Sequence, residues 1–350
     1  MRYLLNAFLL LALIPMLTSA SDWQPDILGG PYEMRYVDQG TDYSGPVRST
    51  IVRLSPDPSD CSDCPDCSNH SHRGILYVHG FNDYFLQKDM GERLADSCWR
   101  FYAVDLREYG RSLEEGQRLF EVRDMHEYFA DIDSAVAQMK RDGIDTIVLM
   151  GHSTGGLTTS LYLNNRPDSA IKGLILNSPF LDWNQSKFQE RVLIPLVNCF
   201  GSHFPGMKAL SGSTPYYHRP DTLKGEGEWD IIRAWKPRQW PALTAGWIHA
   251  IDEGHDELRP GGGNRGAGSQ IKVPVLLMHS DRTYNKNMPD AYRDSTDDVL
   301  DVADISRYGR TLGPDVREVT IHNGVHDLVR SAPEPREKTY DAIFNYLRSL

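Results

Sequence analysis

Six short runs of apolar and β-branched residues, separated by stretches with helical periodicity, constrain this chain more than any other feature. They are Gly74-Ile-Leu-Tyr-Val-His79, Phe101-Tyr-Ala-Val-Asp105, Thr146-Ile-Val-Leu-Met150, Lys172-Gly-Leu-Ile-Leu-Asn177, Val273-Pro-Val-Leu-Leu-Met278 and Arg317-Glu-Val-Thr-Ile321. Strands that are apolar along nearly their whole length are covered on both faces. Between the second and third runs, Met125, Phe129, Ile132, Val136 and Met139 form one stripe of a 3.6-residue period, with Gly143 just beyond its end. The segment Lys338 to Leu350 repeats that pattern with Tyr340, Ile343, Phe344 and Leu347. Val47 to Leu54 adds a β-branched strand, broken by Ser55-Pro-Asp-Pro-Ser-Asp60. This alternation predicts an α/β fold: a mostly parallel central sheet with helices on both faces.

The rhythm fails between Asp182 and Gln270. Trp183, Trp229, Trp235, Trp240 and Trp247 crowd into that span, which closes on the flexible run Pro260-Gly-Gly-Gly-Asn-Arg-Gly-Ala-Gly-Ser269. An aromatic-rich insertion between two strands is expected to cap the sheet's C-terminal edge, where ligands bind in such folds. The expected organisation is therefore a core of residues 21–182 and 271–350, with a Cys-rich insertion at 55–73 and a cap at 183–270. Hydrophobic residues make up 40% of the 350, enough for such a core. The formal charge of −11, with no long basic run, excludes nucleic acid as a partner.

The first residues are expected to leave the fold. Arg2 precedes ten residues without a polar one, Phe8 to Leu17, and Thr18-Ser19-Ala20 supplies the small residues of a cleavage site. That apolar stretch is too short for a comfortable membrane span. A signal peptide over residues 1–20 implies a secreted or periplasmic protein. Export makes the five cysteines readable: Cys61, Cys64, Cys67, Cys98 and Cys199 leave at least one thiol unpaired within the chain. Cys61, Cys64 and Cys67, with His70 and His72 behind them, could hold zinc. In an oxidising compartment a local disulfide staple involving Cys98 is the simpler expectation.

The chemistry-bearing residues sit just past strand ends. Gly151-His152-Ser153-Thr154-Gly155-Gly156 follows the third run and precedes a helical stretch, the strand–turn–helix context that G-x-S-x-G requires. Glycines at 151 and 155 would let so tight a turn form, leaving the Ser153 hydroxyl exposed as a nucleophile. A serine needs a base, and the base needs an orienting acid. Asp281 follows the fifth run and His326 lies in the loop after the sixth, giving the chain order Ser, Asp, His. Asp182 is the alternative acid and His322 the alternative base. Asp327 reads as a solvated or loop-bonding carboxylate, and His152 as a packing residue beneath the turn. His79-Gly80-Phe81 ends the first run, so the amides of Phe81 and Thr154 are expected to form a two-donor oxyanion hole.

Together, His79-Gly80-Phe81-Asn82, Asp105-Leu-Arg107-Glu-Tyr-Gly110-Arg-Ser112, Gly151 to Gly156, His279-Ser-Asp281 and Gly324-Val-His326-Asp327 resemble the α/β-hydrolase superfamily. More narrowly they are similar to its monoacylglycerol lipase and lysophospholipase branch, also grouped with serine aminopeptidases. The resemblance spans roughly residues 45–350. It implies hydrolysis of a small-molecule carboxylic ester through an acyl-enzyme, with no organic cofactor and no metal. Two departures stand out: Glu108 where the pattern D-x-R-G-x-G-x-S has glycine, and His79-Gly-Phe-Asn-Asp83 where the branch has H-G-x-G-E. The Trp-rich cap suggests an apolar or aromatic acyl group, or equally a cap packed on its own rings. A peptidase would need a cap carboxylate for the substrate's ammonium, for which Glu226, Glu228 and Asp230 are candidates. A catalytically silent binding protein of the same fold is the remaining alternative.

Overall fold

The computed structural model describes residues 22–55, 72–185, 189–210, 231–237, 239–261 and 268–350. The expected signal peptide, Cys61, Cys64, Cys67, His70, Glu226, Glu228 and Asp230 lie outside them. Among the described residues no helix is long and apolar enough to cross a membrane.

The strands are β1 (Gln24–Pro25), β2 (Tyr32–Asp42), β3 (Gly45–Leu54), β4 (Arg73–Val78), β5 (Arg100–Asp105), β6 (Thr146–His152), β7 (Ile171–Asn177), β8 (Lys208–Leu210), β9 (Leu243–Thr244), β10 (Val275–Ser280) and β11 (Val316–Ile321). The α-helices are α1 (Lys88–Asp96), α2 (Phe129–Arg141), α3 (Thr154–Asn165), α4 (Ile194–Gly201), α5 (Ala245–Leu258), α6 (Val302–Gly309) and α7 (Pro333–Ser349). Nine strands form one sheet in the order β1-β2-β3-β5-β4-β6-β7-β10-β11. From β5 to β11 every neighbouring pair is parallel, whereas β1, β2 and β3 join antiparallel at one edge.

All six apolar runs became parallel strands. The fifth enters the sheet only at Val275, one residue after Pro274, which has no amide proton for the ladder. The sequence pattern did not single out β2, because it is mostly only partly covered and its apolar–polar alternation stops at Tyr36, leaving a largely polar second half. The amphipathic stripe starts with a 3₁₀ turn, Met125–Tyr128, before α2 proper. A reciprocal cap opens that turn: the Asp124 side chain accepts from the His126 amide and the Glu127 side chain from the Asp124 amide. Gly143 then takes φ +85°, a left-handed turn that a side chain would strain.

The sheet separates two apolar layers. On β4, Leu76 and Val78 face α2, α3 and α5, while Ile75 and Tyr77 face α1 and α7. Each fully buried side chain of this size contributes about 1.5–3 kcal/mol, so both layers hold the strand in register. The neighbours of β4 are β5 and β6, so the chain winds outward in both directions from it. Such a reversal opens a crevice at the strands' C-terminal ends, where the loops after β4 and β6 meet. The span expected to form a cap supplies α4, the β8–β9 pair and α5.

Candidate active site

Ser153 stands at φ +53°, ψ −119°, between the last residue of β6 and the first of α3. A non-glycine residue rarely holds that conformation, and the surrounding packing leaves little alternative. A Cβ at Gly155 would lie 2.3 Å from the Val78 carbonyl oxygen, and one at Gly151 would lie 2.4 Å from the Gly155 oxygen. Only hydrogen fits at either position, so the two glycines fix the turn on which the serine is strained.

The loop after β4 runs beside it. A Cβ on Gly80 would come within 3.0 Å of the Ser153 Cβ. His79 sets this loop's path: its Nε2 accepts from the Leu106 amide at 3.1 Å, which places the proton on Nδ1 to donate to the Gly80 oxygen at 2.8 Å. Burial lowers the His79 pKa and so keeps the ring in the neutral form these bonds require. Phe81 follows Gly80 in this loop. Thr154 opens α3, so its amide has no carbonyl one turn back to bond.

His326 reaches the site from the loop after β11. Its Nδ1 lies 2.9 Å from Oδ2 of Asp297, and both side chains are buried. Asp297 comes from the chain that leaves β10, makes the 3₁₀ turn Asp290–Ser295 and returns to bridge with Thr283. Its Oδ1 also accepts the amides of Val299 at 2.9 Å and Leu300 at 2.8 Å. Burial alone would raise the Asp297 pKa, but His326 and these amides hold it below the usual carboxylate range. Burial would lower the His326 pKa, but Asp297 and then Asp298 raise it above 6.5. Asp298 itself is pushed up to about 7 by burial and by the adjacent Asp297 charge. The other imidazole nitrogen, Nε2, is buried without a protein partner. The His326 ring packs 5.0 Å from the ring of His152, the residue that precedes Ser153.

Asp281 does not contact His326, contrary to the expectation from chain order. Its carboxylate accepts from His322 Nδ1 at 2.8 Å and from the Asn323 amide at 3.0 Å, on the solvent side of the sheet edge. The physical reason is the excursion between Arg282 and Thr296, which carries the chain outward and brings a later carboxylate back over the site. A local signal existed: Asp297 satisfies the amides two and three residues on, a common use of aspartate at a turn. It marks a turn, however, and not which histidine the carboxylate meets.

Other candidates have different partners. Asp182 pairs with Arg259. His322 is largely exposed and pairs with Asp281. Asp327 is buried, not solvated, and accepts from Gln87 at 3.1 Å and Asn177 at 2.7 Å. His152 is buried, and burial lowers its pKa to about 4. His72 bonds the Gly143 oxygen. Cys98 is disulfide-bonded and Cys199 is a free, exposed thiol. Among the described residues, one trio has donor atoms close enough to share a metal ion: Asp83, His152 and Asp327, within 4.8 Å of one another. Asp83 already pairs with Lys236 at 2.9 Å, and both Asp327 oxygens accept amide protons. These carboxylates are satisfied without an ion.

A narrow cleft, with room for about one water molecule, lies between Gly80 and Thr154, walled by Leu106, Tyr109, Met125, Tyr128, Trp247 and Ile251. Ser153 is only 3% exposed, so the described state is a closed one. The tryptophans divide between the two expected uses. Trp247 lines the cleft, whereas Trp183 packs edge-on against Phe180 and donates its indole proton to Asp252 at 3.0 Å.

Residues 69–238 match the family model described as serine aminopeptidase, S33. The match contains Ser153 and the loop after β4 but ends before Asp297 and His326. No curated protein sequence matches the chain. Among solved structures, a monoacylglycerol lipase from Paleococcus ferrophilus is similar with a TM-score of 0.56 at 21% identity, covering 79% of this chain and 93% of that one. A soluble variant of monoglyceride lipase from Saccharomyces cerevisiae, in complex with a substrate analogue, gives 0.63 at 15% identity, covering 93% and 96%. A thermophilic esterase from Thermogutta terrifontis gives 0.52 at 18% identity, covering 90% and 98%.

Proposed function

We propose that this chain, which has the α/β-hydrolase fold and is similar to monoacylglycerol lipases, hydrolyses carboxylic esters with Ser153 as nucleophile. The observation that carries the reading is the His326 imidazole, bonded through Nδ1 to buried Asp297, with a buried, unpartnered Nε2 beside the strained serine turn.

Ser153 Oγ attacks the ester carbonyl carbon as His326 Nε2 takes its proton. Asp297 stabilises the imidazolium that forms and fixes its orientation. The carbonyl oxygen becomes an oxyanion, held by the amides of Phe81 and Thr154, each donor supplying about 10²–10³ in rate. The tetrahedral intermediate collapses and the alcohol leaves with the proton from His326. Water then attacks the acyl-enzyme, gives its proton to His326, and the acid departs as Ser153 regains a proton. The acyl group enters the cleft walled by Tyr109, Tyr128 and Trp247 once these side chains part, and their rings suit an apolar or aromatic acyl chain.

A fluorophosphonate probe is expected to label the wild-type protein at Ser153 and to leave Ser153→Ala unmodified. Within a series of p-nitrophenyl esters of increasing acyl length, at least one is expected to be cleaved, and the length cleaved fastest sizes the acyl site. Folded wild-type protein that neither takes the probe nor cleaves any ester overturns the reading in favour of a silent binding protein. The serine aminopeptidase description supports a second reading, release of N-terminal residues from peptides. A higher kcat/KM on an aminoacyl amide than on the matched ester would establish it. The N-terminal pattern supports export, with residues 1–20 removed. N-terminal sequencing of protein recovered from outside the cytoplasm is expected to begin near Ser21.

A further inference from the structure

Four consecutive residues after Gly80 are each engaged by residues 232–237 and 240 of the inserted segment. The Phe81 ring packs 5.0 Å from Trp240. Asn82 donates from Nδ2 to the Pro237 oxygen at 3.1 Å. Asp83 accepts from Lys236 Nζ at 2.9 Å, each only 3% exposed. The Tyr84 hydroxyl accepts the Ile232 amide at 2.8 Å, and its ring meets Trp235 edge-on. Asn82 meanwhile holds φ +50°, a left-handed bend that asparagine tolerates better than most residues. The loop is thus bent and then splinted from above, residue by residue.

The ion pair is the most demanding part of that splint. Two buried charges gain little net stability over apolar replacements, so their use is better sought in the geometry they impose. What they pin is a loop whose first amide, that of Phe81, is the proposed oxyanion donor. Displacing such a donor by about 1 Å is enough to lose much of its value.

We propose that Lys236 and Asp83 are positioning residues for the hydrolysis: the ammonium of the inserted segment holds the Phe81–Tyr84 loop so that the Phe81 amide faces the developing oxyanion. The proposal rests on the ester-hydrolase reading above. It predicts that catalytic power depends on the Lys236–Asp83 contact, because that contact holds the loop carrying the proposed oxyanion donor.

The test uses the full chain and a p-nitrophenyl ester of the preferred length. Lys236→Met is expected to lower kcat about 10- to 100-fold, with KM changed less than about threefold, and Lys236→Arg to recover most of the loss. A trifluoromethyl ketone, whose tetrahedral adduct carries the oxyanion, is expected to lose affinity in step with kcat/KM. Should Lys236→Met fail to fold, Asp83→Asn/Lys236→Met, which leaves no unpaired charge, carries the same expectation. An unchanged kcat in the folded variant, a loss confined to KM, or no recovery with arginine overturns the proposal. Wild-type protein that is inert toward esters and the probe would instead overturn the underlying reading.

Discussion

Two Asp–His pairs sit at the same end of the sheet, and they share a geometry without sharing an environment. Asp281 and His322 meet at 2.8 Å through Oδ2 and Nδ1, and Asp297 and His326 meet at 2.9 Å through the same atoms. The His322 side chain is 76% exposed, whereas that of His326 is 7% exposed and that of Asp297 is fully buried. In water, an imidazole–carboxylate contact is screened and worth little. In the buried site the same contact raises the base above 6.5, holds the acid down and leaves one nitrogen unsatisfied. Burial, rather than the pairing of residue types, separates a candidate catalytic dyad from a surface contact.

The largest expected effect is the one that would break this comparison outright. Asp297→Asn is expected to lower kcat by about 10⁴, as for other enzymes in which the orienting acid is replaced by its amide. Asp281→Asn is expected to leave kcat within about threefold. The reverse outcome in steady-state assays would return the acid's role to Asp281.

The pH dependence comes next in size. Base catalysis needs neutral His326, so kcat/KM is expected to rise with pH and level off only above its raised pKa, on the alkaline side of 6.5. Because the folded-state pKa lies above the unfolded one, the Asp297–His326 contact contributes stability fully present below pH 6.5 and lost as pH climbs through the folded value. Asp298 adds to the upward shift of His326. Asp298→Asn is therefore expected to move the rising limb toward lower pH, with the plateau rate changed less than about tenfold. A limb that stays in place, or moves up, would show that Asp298 does not bear on His326.

The parallel sheet was legible in the sequence because its inner strands had to be apolar on both faces, and the run from Ile75 to Val78 could hardly be anything else. The serine turn was legible too, since Gly151 and Gly155 answer a steric demand that only glycine meets. Asp297 was not. A carboxylate's partner is set by where a loop returns in space, and the chain between Arg282 and Thr296 leaves no periodic trace of its path. Chain order and strand ends favoured Asp281, which is indeed at a strand end and bonded to a histidine, only to the wrong one. The splint over Phe81–Tyr84 was hidden for the same reason: Asp83 and Lys236 are 153 positions apart, and neither lies on a repeating pattern.

The smallest expected effect sharpens the comparison from the other side. A double-mutant cycle on Asp281 and His322, with each changed to Ala, measures their coupling apart from the other contacts each makes. For an exposed pair that coupling is expected to be under about 1 kcal/mol and to shrink with added salt. Asp281 also caps the Asn323 amide, so Asp281→Ala alone is expected to cost more stability than His322→Ala, and the cycle subtracts this difference. Chemical denaturation of the four proteins at low and at high salt supplies the two values needed. A coupling of several kcal/mol that survives high salt would mean that exposure does not separate the two pairs, and the contrast drawn from burial would fail.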